Sequence, residues 1–239
     1  MILPMYKLSS SFDFHDVYNL VKASRDIILR KLRFDNNLPK DMIFQSLLSD
    51  LKEMLHRGVL KLALIDESEV VNGFALIEKS DWDSDHFRMG VGKLRLAIFN
   101  AEVQINDRRL LIQSVKDLAF SKGFDIIFAR VPLEDMITIH SIELEGGILT
   151  DVLLTFYIDL TQGFEVKETE SDIEVTSASQ DDKQTLMRMA ENIFKIDHFH
   201  ADPNLPSSKC DELYAKWVAN CIDGLTDVVL MAKKGDDVI

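Results

Sequence analysis

The residues of this 239-residue chain best suited to chemistry gather between positions 194 and 217. The run Asp197-His198-Phe199-His200-Ala201-Asp202-Pro203 interleaves two imidazoles with an aromatic ring and two carboxylates. In an extended loop His198 and His200 point the same way, because side chains alternate along extended backbone. Such a pair could contact a bound small molecule. It could also bind a metal with Asp197 or Asp202 as third ligand, but no fourth ligand follows, and the reading adopted is that no metal is held. Solvation of both imidazoles is the third reading. Tyr214 and Trp217 share the apolar face of the next helix, where they either pack in the core with a polar tip at its edge or line a pocket. Trp82 either stacks on a ligand base or packs in a connection between strands. His140 reads as an ordinary helix residue rather than a base, and Glu143 and Glu145 as solvated carboxylates on different helix faces. The chain shows no Ser-His-Asp arrangement, Cys-x-x-Cys pair or Walker-type loop.

The elements that must position these residues follow from periodicity. Val17, Leu20, Val21, Ile27 and Ile28 recur at helical spacing over 14–31, and Phe44, Leu47, Leu48, Leu51, Met54 and Leu55 do so over 41–56, with Pro39 just ahead. Leu60 to Asp66 and Val71 to Glu78, joined by Glu67-Ser68-Glu69, predict a β-hairpin. Leu94, Leu96 and Ile98 mark a third strand. A helix over 107–122 ends at Gly123, and the apolar run Asp125 to Val131 predicts a strand central in a sheet. A short helix over 136–145 closes at Gly146-Gly147, and Ile148 to Leu160 predicts one or two more strands. Residues 161–171 are polar and acidic and read as a linker. The pattern then restarts. Asp172 to Thr176 is a short strand, Ser179 with Asp182 forms a variant capping box, and Leu186, Met189, Ala190 and Ile193 stripe the helix it opens. A helix over 208–221, a strand over 228–233 and the first step of a returning strand complete the series.

Composition excludes some roles. The net charge is −13, which argues against tracking nucleic-acid phosphates or a polybasic hold on a membrane surface. It leaves room for an anionic cofactor gripped locally by backbone N–H groups. Cys210 and Cys221 lie nearly three turns apart on one helical pattern, too far for a bridge within a straight helix. Paired with the lack of a secretory leader or an apolar run of spanning length, the two thiols place the expectation in the cytoplasm. The chain stops two residues into a returning strand, which reads as a fragment or as a chain that recruits the rest from a partner.

In that order of elements the first half resembles the GNAT superfamily of N-acetyltransferases. The residues that carry the likeness are the helix-then-strand run Leu110 to Val131, the segment Ile139 to Gly147, and Thr155-Phe156-Tyr157-Ile158. The second half resembles the branch that acetylates TDP-4-amino-4,6-dideoxy sugars, through Phe194 to Gly224, with Trp82-Asp83-Ser84-Asp85-His86-Phe87 as a further likeness. The resemblance implies an α/β (α+β) fold: a mixed, mostly antiparallel twisted sheet flanked by helices over 1–160. A linker over 161–171 and the start of a second, catalytic module over 172–239 would follow. It implies acetyl-CoA as donor and a small-molecule amine as acceptor, with a nucleotide-linked amino sugar as the particular expectation. His198, Phe199, His200, Asp202, Tyr214 and Trp217 would then contact the acceptor.

Acetyl transfer needs a deprotonated amine, a polarised thioester carbonyl and a protonated leaving thiolate. The superfamily holds acetyl-CoA with a Gln/Arg-x-x-Gly-x-Gly/Ala loop ahead of its central helix. Here that stretch is Gln104-Ile105-Asn106-Asp107-Arg108-Arg109-Leu110-Leu111, with no glycine and an added carboxylate. The expectation is therefore a degenerate first module with no cofactor-binding residues of its own. The second module's cofactor loop and proton donor are expected beyond Ile239, so that this stretch alone lacks a complete active site. The alternative is a non-catalytic first module that serves dimerisation, acceptor binding or regulation.

Overall fold

The computed structural model describes residues 5–25, 39–57, 59–154, 156, 158, 163 and 172–239. It divides into two compact units, Met1–Ile148 and Leu149–Ile239. The linker expected over 161–171 lies, apart from Gly163, outside the described residues.

Unit 1 is a mixed sheet with helices on both faces. Its elements are β1 (Lys7–Ser9), α1 (Phe14–Ala23), α2 (Lys40–His56), β2 (Leu60–Ile65), β3 (Val71–Lys79), α3 (Asp81–Phe87), β4 (Val91–Phe99), α4 (Ile105–Ser121), β5 (Ile126–Ala129) and α5 (Met136–Leu144). The strands lie in chain order, β1 to β4 antiparallel and β4–β5 parallel. Alternation along the strands feeds two cores. Ala63, Ile65, Phe74, Leu76 and Ile98 face α1 and α2, meeting Val17, Leu20, Phe44 and Leu51. Leu64, Ala75, Ile77 and Phe99 face α4, meeting Leu111, Ile112, Val115 and Ala119. The fold is the α/β, mostly antiparallel arrangement the sequence predicts.

The local signals explain most boundaries. Asp13 caps α1 by accepting from the His15 and Asp16 N–H groups, while Asp16 accepts from the Asp13 N–H. The hairpin turn is tied by Asp66, whose carboxylate accepts from the Ser68 and Val70 N–H groups and from Asn72. These bonds, Val70 first, outweigh burial and hold the Asp66 carboxyl below its ordinary range. Residues 26–31 of the first predicted helix lie outside the described residues.

Three readings change. The connection carrying Trp82 is a helix, α3, which begins after Ser80 and ends at Arg88 in the left-handed region (φ 60°). Its carboxylate Asp83 accepts from Ser80 Oγ at 2.5 Å and pairs with Lys93 Nζ at 2.6 Å, which pins the helix to β4. Trp82 is 44% exposed and stacks on His86 at 5.8 Å. Secondly, β5 has one paired neighbour, β4, among the described residues, where its apolar run predicts two, and part of the expected second neighbour lies outside them. Thirdly, residues 148–154 form no strand, and positions 155, 157, 159 and 160 of that prediction lie outside the described residues.

Unit 2 holds β6 (Ile173–Ser177), α6 (Lys183–Ile193), α7 (Ser207–Asn220), a π-turn over Cys221–Leu225, β7 (Leu230–Lys234) and β8 (Asp237–Val238). Its three strands are antiparallel in the order β6-β7-β8. The expected cap is present: the Asp182 carboxylate accepts from Ser179 N–H at 2.9 Å and from its hydroxyl at 2.7 Å. Lys183 reaches from the start of α6 to Asp223 at 2.6 Å, closing the π-turn against it. Both cysteines are free thiols.

Candidate functional site

In unit 1 the feature with chemical potential is the end of the parallel pair. Gly90 and Gly123 bring the two strands together: a Cβ on Gly90 would lie 2.0 Å from the Gly123 oxygen, so only glycine admits this approach. Pairing then runs from Val91↔Ile126 to Leu94↔Ala129 and stops. At that point β4 bulges. Its register with β3 passes from Leu96↔Leu76 to Leu94↔Ile77, leaving Arg95 without an opposite residue. Beyond the bulge β4 continues to Phe99 with no paired strand on its β5 side among the described residues. The strands thus part into a mouth, and α4 starts at its rim.

Arg108 bridges the two sides of this mouth. It lies on the first turns of α4 and is 6% exposed. Its guanidinium stacks on Phe99, the last residue of β4, at 4.7 Å. Its Nε donates to the Val103 carbonyl at 3.1 Å. Its Nη1 donates to Asp135 Oδ1 at 3.2 Å and to Thr138 Oγ1 at 3.1 Å, both beyond β5. Asp135 also caps α5 by accepting from the Thr138 N–H. Two more cations of α4 turn the same way: Arg109 Nε to Glu145 Oε1 and Lys116 Nζ to the Glu145 carbonyl, each at 2.8 Å. Acidic groups gather near the rim. Burial raises the Asp107 carboxyl, and the Tyr6 phenol is raised by burial and then by the charges of Asp107, Asp66 and Glu102.

In unit 2 the structure gathers most of the sequence-predicted residues around one imidazole. Asp197 starts a turn by accepting from the Phe199 N–H at 2.7 Å and the His200 N–H at 3.1 Å. His200 is then held by both ring nitrogens, Nδ1 to Asp197 at 2.6 Å and Nε2 to Asp211 of α7 at 2.9 Å. Burial pushes the imidazole pKa down, but the two carboxylates together push it further up, so the net shift is upward. Asp197 responds in the opposite sense: burial raises it, and the bonds from His200 and the backbone bring it below the ordinary carboxylate range. Asp211 is lowered by Lys195 and then by His200. Phe199 and Asp202 are buried, and Asp202 accepts from the Asn204 N–H and side-chain amide at 2.9 Å each.

Tyr214 stacks on Phe194 at 4.7 Å, lies 6.3 Å from Trp217 and has its phenol raised, chiefly by burial and then by Asp197. Phe194 and Trp217 stay half exposed, so the three rings form a ladder open at both ends. His198 packs its ring on Phe199 at 3.9 Å. Thus His198 and His200 have different surroundings: one ring lies on its neighbour and the other is held in the loop-to-helix clamp. Sequence reading missed two members, Asp211 and Phe194. Asp211 lies eleven positions from His200, at a spacing no local rule connects. Among the described residues no group of three or more His, Cys, Asp or Glu side chains is placed to hold a metal ion. None of the described helices is long and apolar enough to cross a membrane.

Unit 1 thus sets helices over both faces of a mostly antiparallel sheet, with a bulged strand, a parallel neighbour and a helix that follows the one and precedes the other. No family model matches the chain. Among curated proteins it is similar to the spore coat polysaccharide biosynthesis protein SpsD of Bacillus subtilis (strain 168), with 24% identity over 179 residues. That match takes in 72% of this chain and 58% of the relative, so the chain spans less than two thirds of that protein. Among solved structures it is similar to a Pyrococcus furiosus protein provisionally titled an acetyl transferase, at 14% identity and TM-score 0.48, covering 64% of this chain and all of that one (100%). It is also similar to glucosamine-6-phosphate N-acetyltransferase from Arabidopsis thaliana, at 14% identity and TM-score 0.40, covering 65% of this chain and 99% of that one.

Proposed function

We propose that the protein is an N-acetyltransferase whose acceptor is the amine of an amino sugar carried on a nucleotide, with acetyl-CoA as donor. The observation that carries the reading is the bulge at Arg95 set where the β4–β5 pairing ends, a sheet plan shared with acetyltransferases even though unit 1 does not itself hold the donor. The similarity over 179 residues to a protein named for polysaccharide biosynthesis supports a saccharide acceptor. In unit 2, the half-exposed ladder of Phe194, Tyr214 and Trp217 offers flat apolar faces of the kind that sugars and bases stack on. His200, Asp197 and Asp211 hold the loop over 195–206 against α7, which carries Tyr214 and Trp217, and Phe199 and Asp202 anchor that loop from inside. In this reading Trp217, Tyr214 and His198 contact the acceptor, while His200, Phe199 and Asp202 position them. Acetyl-CoA supplies an activated acyl group. The residues of unit 1 do not fit it, because the rim of the mouth carries acids and the buried guanidinium already fills the gap.

The test is thiol release. Protein is incubated with acetyl-CoA and a panel of amines that includes nucleotide-linked amino sugars, free amino sugars and aminoglycosides. Free thiol and an acetylated product with an amino-sugar nucleotide are expected. Acetylation of none of these amines removes the proposal, and acetylation only of non-sugar amines removes its acceptor half.

A further inference from the structure

We infer that unit 1 is a self-closed acyltransferase fold, in which the Arg108 side chain ties the parted strands together where a cofactor would otherwise lie. The inference rests on the GNAT-like reading of the fold, and it concerns which unit holds the cofactor, not whether the protein transfers acetyl groups.

A pyrophosphate is gripped at a helix start by free backbone N–H groups that it must approach closely. Along 104–111 every residue carries a Cβ, and none is glycine. Two acids, Glu102 and Asp107, flank that start and repel a polyanion. The cation that could compensate is spent. Arg108 is buried with its Nε on Val103, its Nη1 on Asp135 and Thr138, and its face on Phe99. Its charge is already balanced by Asp135, which lowers its attraction for a phosphate. Arg109 and Lys116 are likewise committed to Glu145. The same contacts do positive work. They connect the end of β4, the start of α4 and the start of α5, so the mouth left by the bulge is spanned by covalent chain and side chain rather than by a ligand.

Hydrogen exchange of the intact protein, with and without millimolar coenzyme A, tests the first half of the inference. No added protection is expected over residues 100–112, and protection there overturns it. Thermal melting tests the second half. Arg108→Met leaves Asp135 without its partner and is expected to lower Tm by on the order of 10 °C. Should that variant not fold, Asp135→Asn keeps the shape and removes the charge, with a fall of several degrees expected. Unchanged melting in either variant overturns the tie. The two proposals fail separately. Protection over 100–112 in a protein that acetylates amines overturns only this inference, whereas absence of both protection and acetylation overturns only the transferase reading.

Discussion

Each unit buries a cationic group against carboxylates, and the two do so with different chemistry. Unit 1 uses Arg108 with Asp135, and unit 2 uses His200 between Asp197 and Asp211. Arginine keeps its charge at any pH a protein survives, so the first node is permanent. Histidine titrates near neutrality, so the second is conditional. The settings match: a permanent tie spans a strand opening deep in a sandwich of helices and sheet, while the conditional one clamps a surface loop onto a helix.

The largest expected effect distinguishes the two at fixed pH. Arg108→Met should cost about 3–5 kcal/mol in urea unfolding, because it strands a carboxylate beside a buried gap. A loss below about 1 kcal/mol would mean the guanidinium is no more than a surface ion pair. His200→Ala should cost less, about 2 kcal/mol at pH 6, through two lost hydrogen bonds to charged groups.

The pH dependence sharpens the contrast. The His200 pKa is raised above its ordinary 6.5, so its contribution is full below that value and fades as pH rises through the folded pKa. Asp197 and Asp211 are lowered from 3.8, so theirs is full above that value and fades as pH falls through their folded pKa values. The clamp should therefore be firmest between about pH 4 and 6.5. Urea midpoints measured across pH 5 to 8 should show a decline that His200→Ala removes and Arg108→Met leaves in place. The smallest effect is chemical. The Cys210 thiol, beneath the clamp, is pushed up to about 11 by burial and then by Asp197 and Asp211. Iodoacetamide at pH 8 should label it at least about tenfold more slowly than the half-buried Cys221, and His200→Ala should narrow that ratio.

Much of the scaffold could be read from the chain. The hairpin over β2 and β3, the helix after Ser179 and the glycine-free stretch before Leu111 all followed from residues within four positions of one another. The helix α3 is not legible from periodicity although Ser80-x-x-Asp83 is a recognisable start, because seven residues are too few to show an apolar stripe. The fate of Arg108 was not readable, since its partners Asp135 and Thr138 lie 27 and 30 positions away. The predicted histidine pair illustrates the same limit. Alternation placed His198 and His200 side by side, but Asp197 folds the run into a turn, and alternation holds only for extended backbone.

What the sequence determined by itself is the order of elements, their periodicity and caps, and the lack of glycine over 104–111. These are local facts, fixed by hydrogen bonds that close within one turn of chain. What only the tertiary structure decided is where each buried charge finds its counter-charge, and hence which polar residues are left for a ligand. A charge removed from water must be paired wherever the fold brings a partner, and that partner can come from any distance along the chain.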